Sequence, residues 1–442
     1  MPEGCAGSTV RPSGRFGAVP TWVRWEFGEG ATPSVSAELS PTITLTAPGT
    51  YQGTLRAGNE AGESPALRFD YTVHGSEPTC WIGSAVDPHF ESGYDVAVAL
   101  HNGLPVLAYY DQKLAGPVVS LTVARALRAS PQGIPDWRLT RLDSELVHSG
   151  PGLALASHSN RLLIAYRDSG QSDLKLATSK IPTPATVADW TFQVVHGEPE
   201  LPMTGFVRML ANGRPTLTYQ VSPPSTGREL WIAVGLVPLL TVPADWSRHR
   251  VSPQVHQPSW HDPVIHDGRF AVAYQADQTR GLWLARANVA EPASGGEWTV
   301  HQMDVEGPAG AHVDLEVVDG LLVAAYRPSH NLGFRLAQAL IPEPATADDW
   351  SLLNRGDSIK VIGQMSLRKV GNRLAVAFPD GARQQYVVGW STTGDASSPW
   401  IFQDLRFNIL NQEFSHLLVG PDRLLLPVRT VGGMELYEAP LP

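Results

Sequence analysis

The side chains best suited to chemistry recur at one position of a repeating pattern. Directly after a repeated aromatic residue the chain reads Tyr110, Arg167, Gln220, Gln275, Arg327, Pro379 and Arg429, with Asp168 following Arg167. Arranged around an axis, three arginines and two amides at equivalent steps would make a polar rim. A guanidinium presents a planar fork of donors that suits carboxylates and hydroxyls. The loops between repeats add His89, His148, His256, His261 and His312. Imidazoles there could move a proton or bind a metal, but spacings of 50 or so residues are not a ligation pattern. Trp260 lies beside His261 in the polar run Gln257-Pro258-Ser259-Trp260-His261-Asp262. An exposed Trp in such a loop is a stacking platform for a sugar. The ligand-binding set read from the sequence is therefore Arg167, Asp168, Gln220, Gln275, Trp260, His261, Arg327 and Arg429. The sequence contains no metal motif, P-loop, nucleophile elbow or paired-Cys site, so it assigns no catalytic residue and no metal ligand.

The elements that must position these residues are periodic. A Trp recurs at Trp81, Trp137, Trp190, Trp246, Trp298, Trp350 and Trp400, at spacings of 50 to 56 residues. Each opens a short strand, often with an acid just before it, as at Asp136, Asp189, Asp245, Glu297 and Asp349. A strand, a turn, a second strand ending on an aromatic and a third strand precede the next Trp. The turns include Asn102-Gly103, Asn212-Gly213, Asp267-Gly268 and Asp319-Gly320, the strongest short hairpin signal. The aromatics are Tyr109, Tyr166, Tyr219, Tyr274, Tyr326 and Phe378, with Val428 in the last copy. Four strands per unit and seven units predict a seven-bladed β-propeller. After Trp400 one partial repeat runs to the end of the sequence, and no eighth Trp follows. The Trp81 strand is expected to complete it, a velcro closure that removes two open sheet edges. The repeated Trp and Tyr are read as packing.

The units resemble degenerate bacterial propeller repeats that carry Tyr-Tyr-Asp or Tyr-Arg-Asp after the second strand, here Ala108-Tyr109-Tyr110-Asp111 and Ala165-Tyr166-Arg167-Asp168. They are not WD repeats, because the dipeptide runs Asp-Trp and lacks a Gly-His partner. The sialidase Asp-box is absent. Residues 1–76 read as a separate small antiparallel sandwich. There Trp25-Glu26-Phe27-Gly28-Glu29-Gly30 resembles the W-x-F-G-D-G signature of polycystic-kidney-disease (PKD) type modules, with Glu29 at the usual Asp position. Ala47-Pro48-Gly49-Thr50-Tyr51 and Asn59-Glu60-Ala61-Gly62 fit the same family. That resemblance implies a spacer or adhesion unit on a secreted bacterial protein. The fold expected is thus all-β: an N-terminal Ig/PKD-like sandwich over 1–76, then a propeller over 77–442.

Composition narrows the partners. The 33 basic and 43 acidic residues among 442 give −10, and no Lys/Arg run appears, which argues against nucleic acid. No apolar stretch is long enough to span a membrane, and no signal peptide is visible at Met1-Pro2-Glu3-Gly4. Cys5 and Cys80 stand near the two ends of the N-terminal segment, where a single clip and two inert thiols are both open readings. The function expected is a non-enzymatic extracellular or cell-surface protein recognising a glycan or protein surface at the channel mouth. No cofactor is expected, calcium and the oligomeric state being left open. One alternative is a carbohydrate-active lyase or glycosidase using His148, Arg167, Asp168, His261 and Arg327. Another is a structural subunit of a larger assembly.

Overall fold

The computed structural model describes residues 4–441 except 13, 15, 18, 76–78, 90–91, 113–117, 148–151, 169, 212, 226, 238–239, 241, 254–257, 277–280, 306–308, 329–332, 357, 406–415 and 431. Among the described residues the chain is all-β, with short 3-10 turns and no α-helix. It divides into two compact units, residues 1–83 with 437–442 and residues 84–436. His148 and His256 lie outside the described residues.

The first unit contains two sheets. One runs in the order Gly4–Cys5, Leu67–His74, Gly49–Asn59, Trp22–Glu26, Val35–Ser36; the other in the order Thr9–Val10, Ile43–Leu45, Ala31–Thr32. Side chains of a strand alternate between its faces, and Trp22–Glu26 follows that rule: Val23 and Trp25 are buried, Trp22 and Arg24 exposed. With Phe27, Ile43, Leu45, Leu55, Tyr71 and Val73 they form one core. Its buried polar tips are satisfied: Trp25 Nε1 donates to Glu38 O at 3.0 Å and the Tyr71 hydroxyl to Phe27 O at 2.5 Å. Cys5 and Cys80 form a disulfide across a sequence separation of 75, with Cα atoms 5.9 Å apart.

The rest of the chain is a β-propeller built from sheets of four strands. Six sheets take their strands in sequence order: 92–147, 153–196, 203–250, 258–304, 309–355 and 366–405. A further sheet joins the chain's two ends. Its order is Ile82–Asp87, Gly433–Pro440, Arg423–Thr430, Leu418–Val419. The strand following Trp81 therefore occupies the outer edge that the last repeat leaves open, and the Ser84 hydroxyl donates to Leu436 O. First strands of successive sheets run side by side, and Ser92–His101 also meets Arg423–Thr430.

Three sequence signals acquire physical roles. The hairpin dipeptides adopt the left-handed conformation their turns require: φ is 52° and 75° at Asn102 and Gly103, 54° and 71° at Asp267 and Gly268, 50° and 79° at Asp319 and Gly320. At Asp136, Asp189, Asp245, Glu297 and Asp349 the acid before the Trp closes a one-turn 3-10 helix. Asp189 Oδ2 accepts the Ala185 and Thr186 amides at 2.9 Å, and Asp349 does the same for Ala345 and Thr346. In four repeats the Tyr latches neighbouring sheets through the residue six positions after the preceding repeat's Trp; at Tyr274, where that residue is Ser252, no such bond is made among the described residues. Tyr109 donates to Asp87 at 2.8 Å, Tyr166 to Asp143 at 3.2 Å and Tyr326 to Asp304 at 2.8 Å, while Tyr219 meets His196 at 3.3 Å. Where that position is Gly356, which offers no side chain, the aromatic is Phe378, which has no hydroxyl. A buried hydroxyl without a partner would cost about 1–3 kcal/mol.

Candidate functional site

The first strands carry the site because they line the propeller's axis. Their registers align one step of each with the residue before the repeated aromatic: Ala97 opposite Ala108, Ala154 opposite Ala165, Arg208 opposite Thr218, Asp262 opposite Ala273, Asp314 opposite Ala325, Ser366 opposite Ala377. The pairing of Leu418 with Leu425 puts His416 at the same step. One arc of this ring is small and apolar and the other is charged. Two residues further along, the aligned step reads Ala99, Ala156, Leu210, Val264, Glu316, Arg368 and Leu418.

The charged arc is tied together across the axis. Arg208 Nε is 3.3 Å from Asp262 Oδ1, and another of its nitrogens donates to Gln364 Oε1 at 3.2 Å, three sheets away. Arg368 donates to Asp314 Oδ1 at 2.7 Å and lies 3.8 Å from Glu316. His416 Nδ1 is 4.0 Å from Asp314 Oδ2. Carboxylates here also reach the next sheet's backbone: Asp95 accepts the Gly152 amide at 2.6 Å and Asp262 the Leu315 amide at 3.0 Å. Burial dominates the titration. It pushes Asp95 up to about 6; it also pushes Asp262 up to about 8, with the Asp314 charge adding to the rise. Burial holds His261 and His312 down near 3 and keeps His416 neutral.

These directions set a pH dependence. A carboxyl raised in the fold loses its stabilising contribution as pH climbs from its unfolded value to its folded one. A His depressed in the fold does the reverse, gaining between its folded value and about 6.5. The histidine gain is half made at about pH 6.5 and nears completion by about pH 7.5, so it opposes the loss from Asp262, which is still giving up its proton. The Asp262 contribution alone is expected to fall by about 1–2 kcal/mol between pH 6.5 and 8. Asp262→Asn should therefore gain about 1–2 kcal/mol relative to the parent between the two pH values in thermal melts, and an equal change in both proteins would contradict the assignment.

Two residues before the aligned step, four first strands break register. The irregularities fall at Tyr94/Val96, Met203/Val207, Pro258/His261 and Ala311/Asp314. Bulges re-aim side chains and are common beside active sites. Asp95 and His312 have φ of 45° and 56°, unusual for residues with a Cβ. Gly205 is required at its bulge: φ is 73°, and a Cβ there would sit 2.2 Å from Gln220 Oε1. The result is an aromatic cluster at this end of the channel. Trp260 stands 4.1 Å from the Phe206 ring and 3.9 Å from the His312 ring, and Arg208 lies 5.5 Å from the Phe206 centroid.

The sequence-derived residues divide accordingly. Gln220, Gln275, Trp260 and His261 come together: Gln220 Nε2 donates to Ser259 O at 3.0 Å and lies 3.2 Å from His261 Nδ1, and Ser259 donates to Gln275 Oε1 at 2.8 Å. Arg327 stands opposite Ala311, the neighbour of His312, in the strand register and donates to Val361 O at 3.4 Å. Arg167 and Asp168 serve other contacts. The Arg167 backbone binds Gly152 and the Tyr110 hydroxyl, and Asp168 pairs with Lys175 at 2.6 Å. Arg429 is buried, in a sheet that also holds the strand after Trp81. Trp260 is half-buried among rings rather than set on an open loop. Sequence reasoning missed Arg208, Asp262, Asp314, Glu316, Gln364, Arg368 and His416. For Arg208, Asp262, Asp314, Glu316 and Arg368 the signal was a polar residue inside an apolar first strand, recurring in register across repeats. Among the described residues no group of three side chains could hold a metal ion, and no helix is long and apolar enough to cross a membrane.

No family model and no curated protein matches the chain. Solved structures similar to it include an oligogalacturonate lyase in complex with manganese, at 10% identity and TM-score 0.46 over 99% of this chain and 98% of that one. The NanB sialidase from Streptococcus pneumoniae matches at 9% and 0.44 over 98% and 92%. The WD40 domain of coronin from Toxoplasma gondii matches at 10% and 0.44 over 82% and 87%. Likeness at this level carries no function across, so the functional reading rests on the chain's own geometry.

Proposed function

We propose that the chain is a non-enzymatic, extracellular binding protein. A propeller of seven blades, residues 77–442, recognises a glycan or protein surface at its channel mouth, and residues 1–76 form a PKD-like spacer. The observation that carries this reading is the bulged channel end. Four register breaks gather Trp260, His261, Gln220, Gln275 and, opposite Ala311, Arg327, and their hydrogen bonds hold them in place. A few fixed polar groups beside aromatic surface give a concave site its orientation, and rigid placement limits the entropy lost on binding. The Cys5–Cys80 bridge supports an oxidising, extracellular setting.

A second reading, a carbohydrate-active enzyme, draws on Asp262. A carboxyl that keeps its proton near neutrality is what a general acid needs. Its oxygens, however, are committed to Arg208 and the Leu315 amide, which favours a structural role. The pair Trp260→Ala and Arg327→Ala tests the binding reading against whichever ligand a glycan or protein array selects. Each is expected to weaken binding at least tenfold, about 1.4 kcal/mol. Unchanged affinity in both would remove this end of the channel from consideration.

A further inference from the structure

A cavity of about 300 Å³ lies inside the channel and shares Arg208 with the cluster around Trp260. Its lining comes mainly from the aligned step and the two that follow: Arg208, Asp262, Glu316, Arg368 and His416 on one side, with Ala97, Ala154 and, one step earlier, Leu153 among the apolar residues opposite. Arg208, bonded to Gln364 across the axis, forms its floor, and Gln364, Phe206 and His312 beyond that floor are buried. At the other end Leu210, Val264, Glu316, Arg368 and Leu418 are all part-exposed. The cavity is therefore a blind pocket entered from the end of the channel that carries the Asn-Gly and Asp-Gly turns.

The charges of the polar wall balance within the protein: with Asp262 holding its proton near neutrality, Arg208 and Arg368 face the carboxylates of Asp314 and Glu316. A charged ligand would find no counter-charge in excess. Donors and acceptors nevertheless remain. Both hydrogen bonds of Arg368 among the described residues leave from one terminal nitrogen. Its Nε and second terminal nitrogen are thus donors for an occupant. Beside it stands Glu316, whose side chain is about a quarter exposed. A guanidinium next to a carboxyl offers a donor and an acceptor together, the complement of two adjacent hydroxyls, each of which both donates and accepts. The apolar wall suits a C–H face.

We propose that this pocket is a second site that takes one neutral sugar ring, with a vicinal diol held by Arg368 and Glu316 and a C–H face against the Ala97, Leu153 and Ala154 wall. The inference rests on reading the chain as a glycan binder but uses the opposite end of the channel from Trp260. Calorimetry of the full chain with methyl glucoside, methyl galactoside and methyl mannoside tests it, with leucine as a zwitterionic probe. One glycoside is expected to bind with a Kd on the order of millimolar. Glu316→Gln, Arg368→Met and the rim-filling Leu210→Trp should each weaken it at least tenfold, and Trp260→Ala should leave it within twofold. Saturation-transfer NMR on the unaltered protein should mark the ring C–H protons of one sugar face, whatever the folding of the variants. Preference for leucine, or glycoside binding indifferent to Glu316→Gln and Leu210→Trp, would overturn the proposal. So would absence of glycoside binding, while an array ligand still sensitive to Trp260→Ala would leave the binding function standing.

Discussion

Replacing Cys80 by Ser, or reducing its bridge to Cys5, is expected to lower the stability of the N-terminal unit by about 4 kcal/mol. The bridge closes a sequence separation of 75 residues, and the chain-entropy model gives a loop of that size a contribution of about 4 kcal/mol. The unit it braces is small. Its core comprises Val23, Trp25, Phe27, Ala31, Ile43, Leu45, Leu55, Tyr71 and Val73, and a domain of this size buries a modest share of its surface. Several strands are two residues long, among them Gly4–Cys5, which pairs with Val73 and His74. Without the disulfide that terminal strand is held by backbone hydrogen bonds, from Ala6 to His74 O at 2.9 Å and from Gly7 to Leu45 O at 2.8 Å among them. Denaturant unfolding with and without reductant, followed by the fluorescence of Trp22 and Trp25, checks the result. A midpoint unmoved by reduction would mean the bridge adds nothing.

The second large effect lies in the channel. Asp314→Ala should destabilise the propeller by about 3 kcal/mol, the lower end for breaking a buried ion pair. Asp314 is fully buried and holds Arg368 at 2.7 Å. Removing it leaves a guanidinium largely out of water, with Glu316 at 3.8 Å as its nearest remaining carboxylate and the Leu367 carbonyl as its hydrogen-bond acceptor. About a quarter of the Arg368 side chain stays exposed, which moderates the loss. The double variant Asp314→Leu with Arg368→Met removes both charges and should recover most of the stability, because paired buried ions exchange for apolar residues at little cost. A single variant within 1 kcal/mol of the parent would show that the pair is solvated.

The propeller was legible because its determinants are local and repeated. A Trp and a Tyr at fixed steps, turn dipeptides with positive φ and a closing strand after Trp81 all leave marks in one dimension. The hydroxyl partner of the Tyr also left a mark, six residues after a Trp at Asp87, Asp143, His196 and Asp304, although in sequence the Tyr reads as packing alone. The channel was not. Arg208 meets Gln364 across 156 positions, and Asp262 meets Leu315 across 53. Such pairs follow from closing the ring, and their separations match no motif. The loop residues Arg167 and Asp168 look equivalent to Gln220 and Arg327 in sequence. A bulge beside Gly205 turns Gln220 toward Ser259 and His261, whereas the register around Arg167 is regular. The disulfide lay between these cases: two cysteines at a segment's ends permit a bridge, and the fold brings them together.

One measurement bears most directly on the central claim that the chain binds a ligand in the propeller channel and leaves it unchanged. The purified full chain is screened on a glycan array with and without calcium, and the selected glycan is then incubated with excess protein and weighed by mass spectrometry. Selective capture with an unchanged ligand mass is the predicted result. A shortened or eliminated product would contradict it and assign the channel to catalysis.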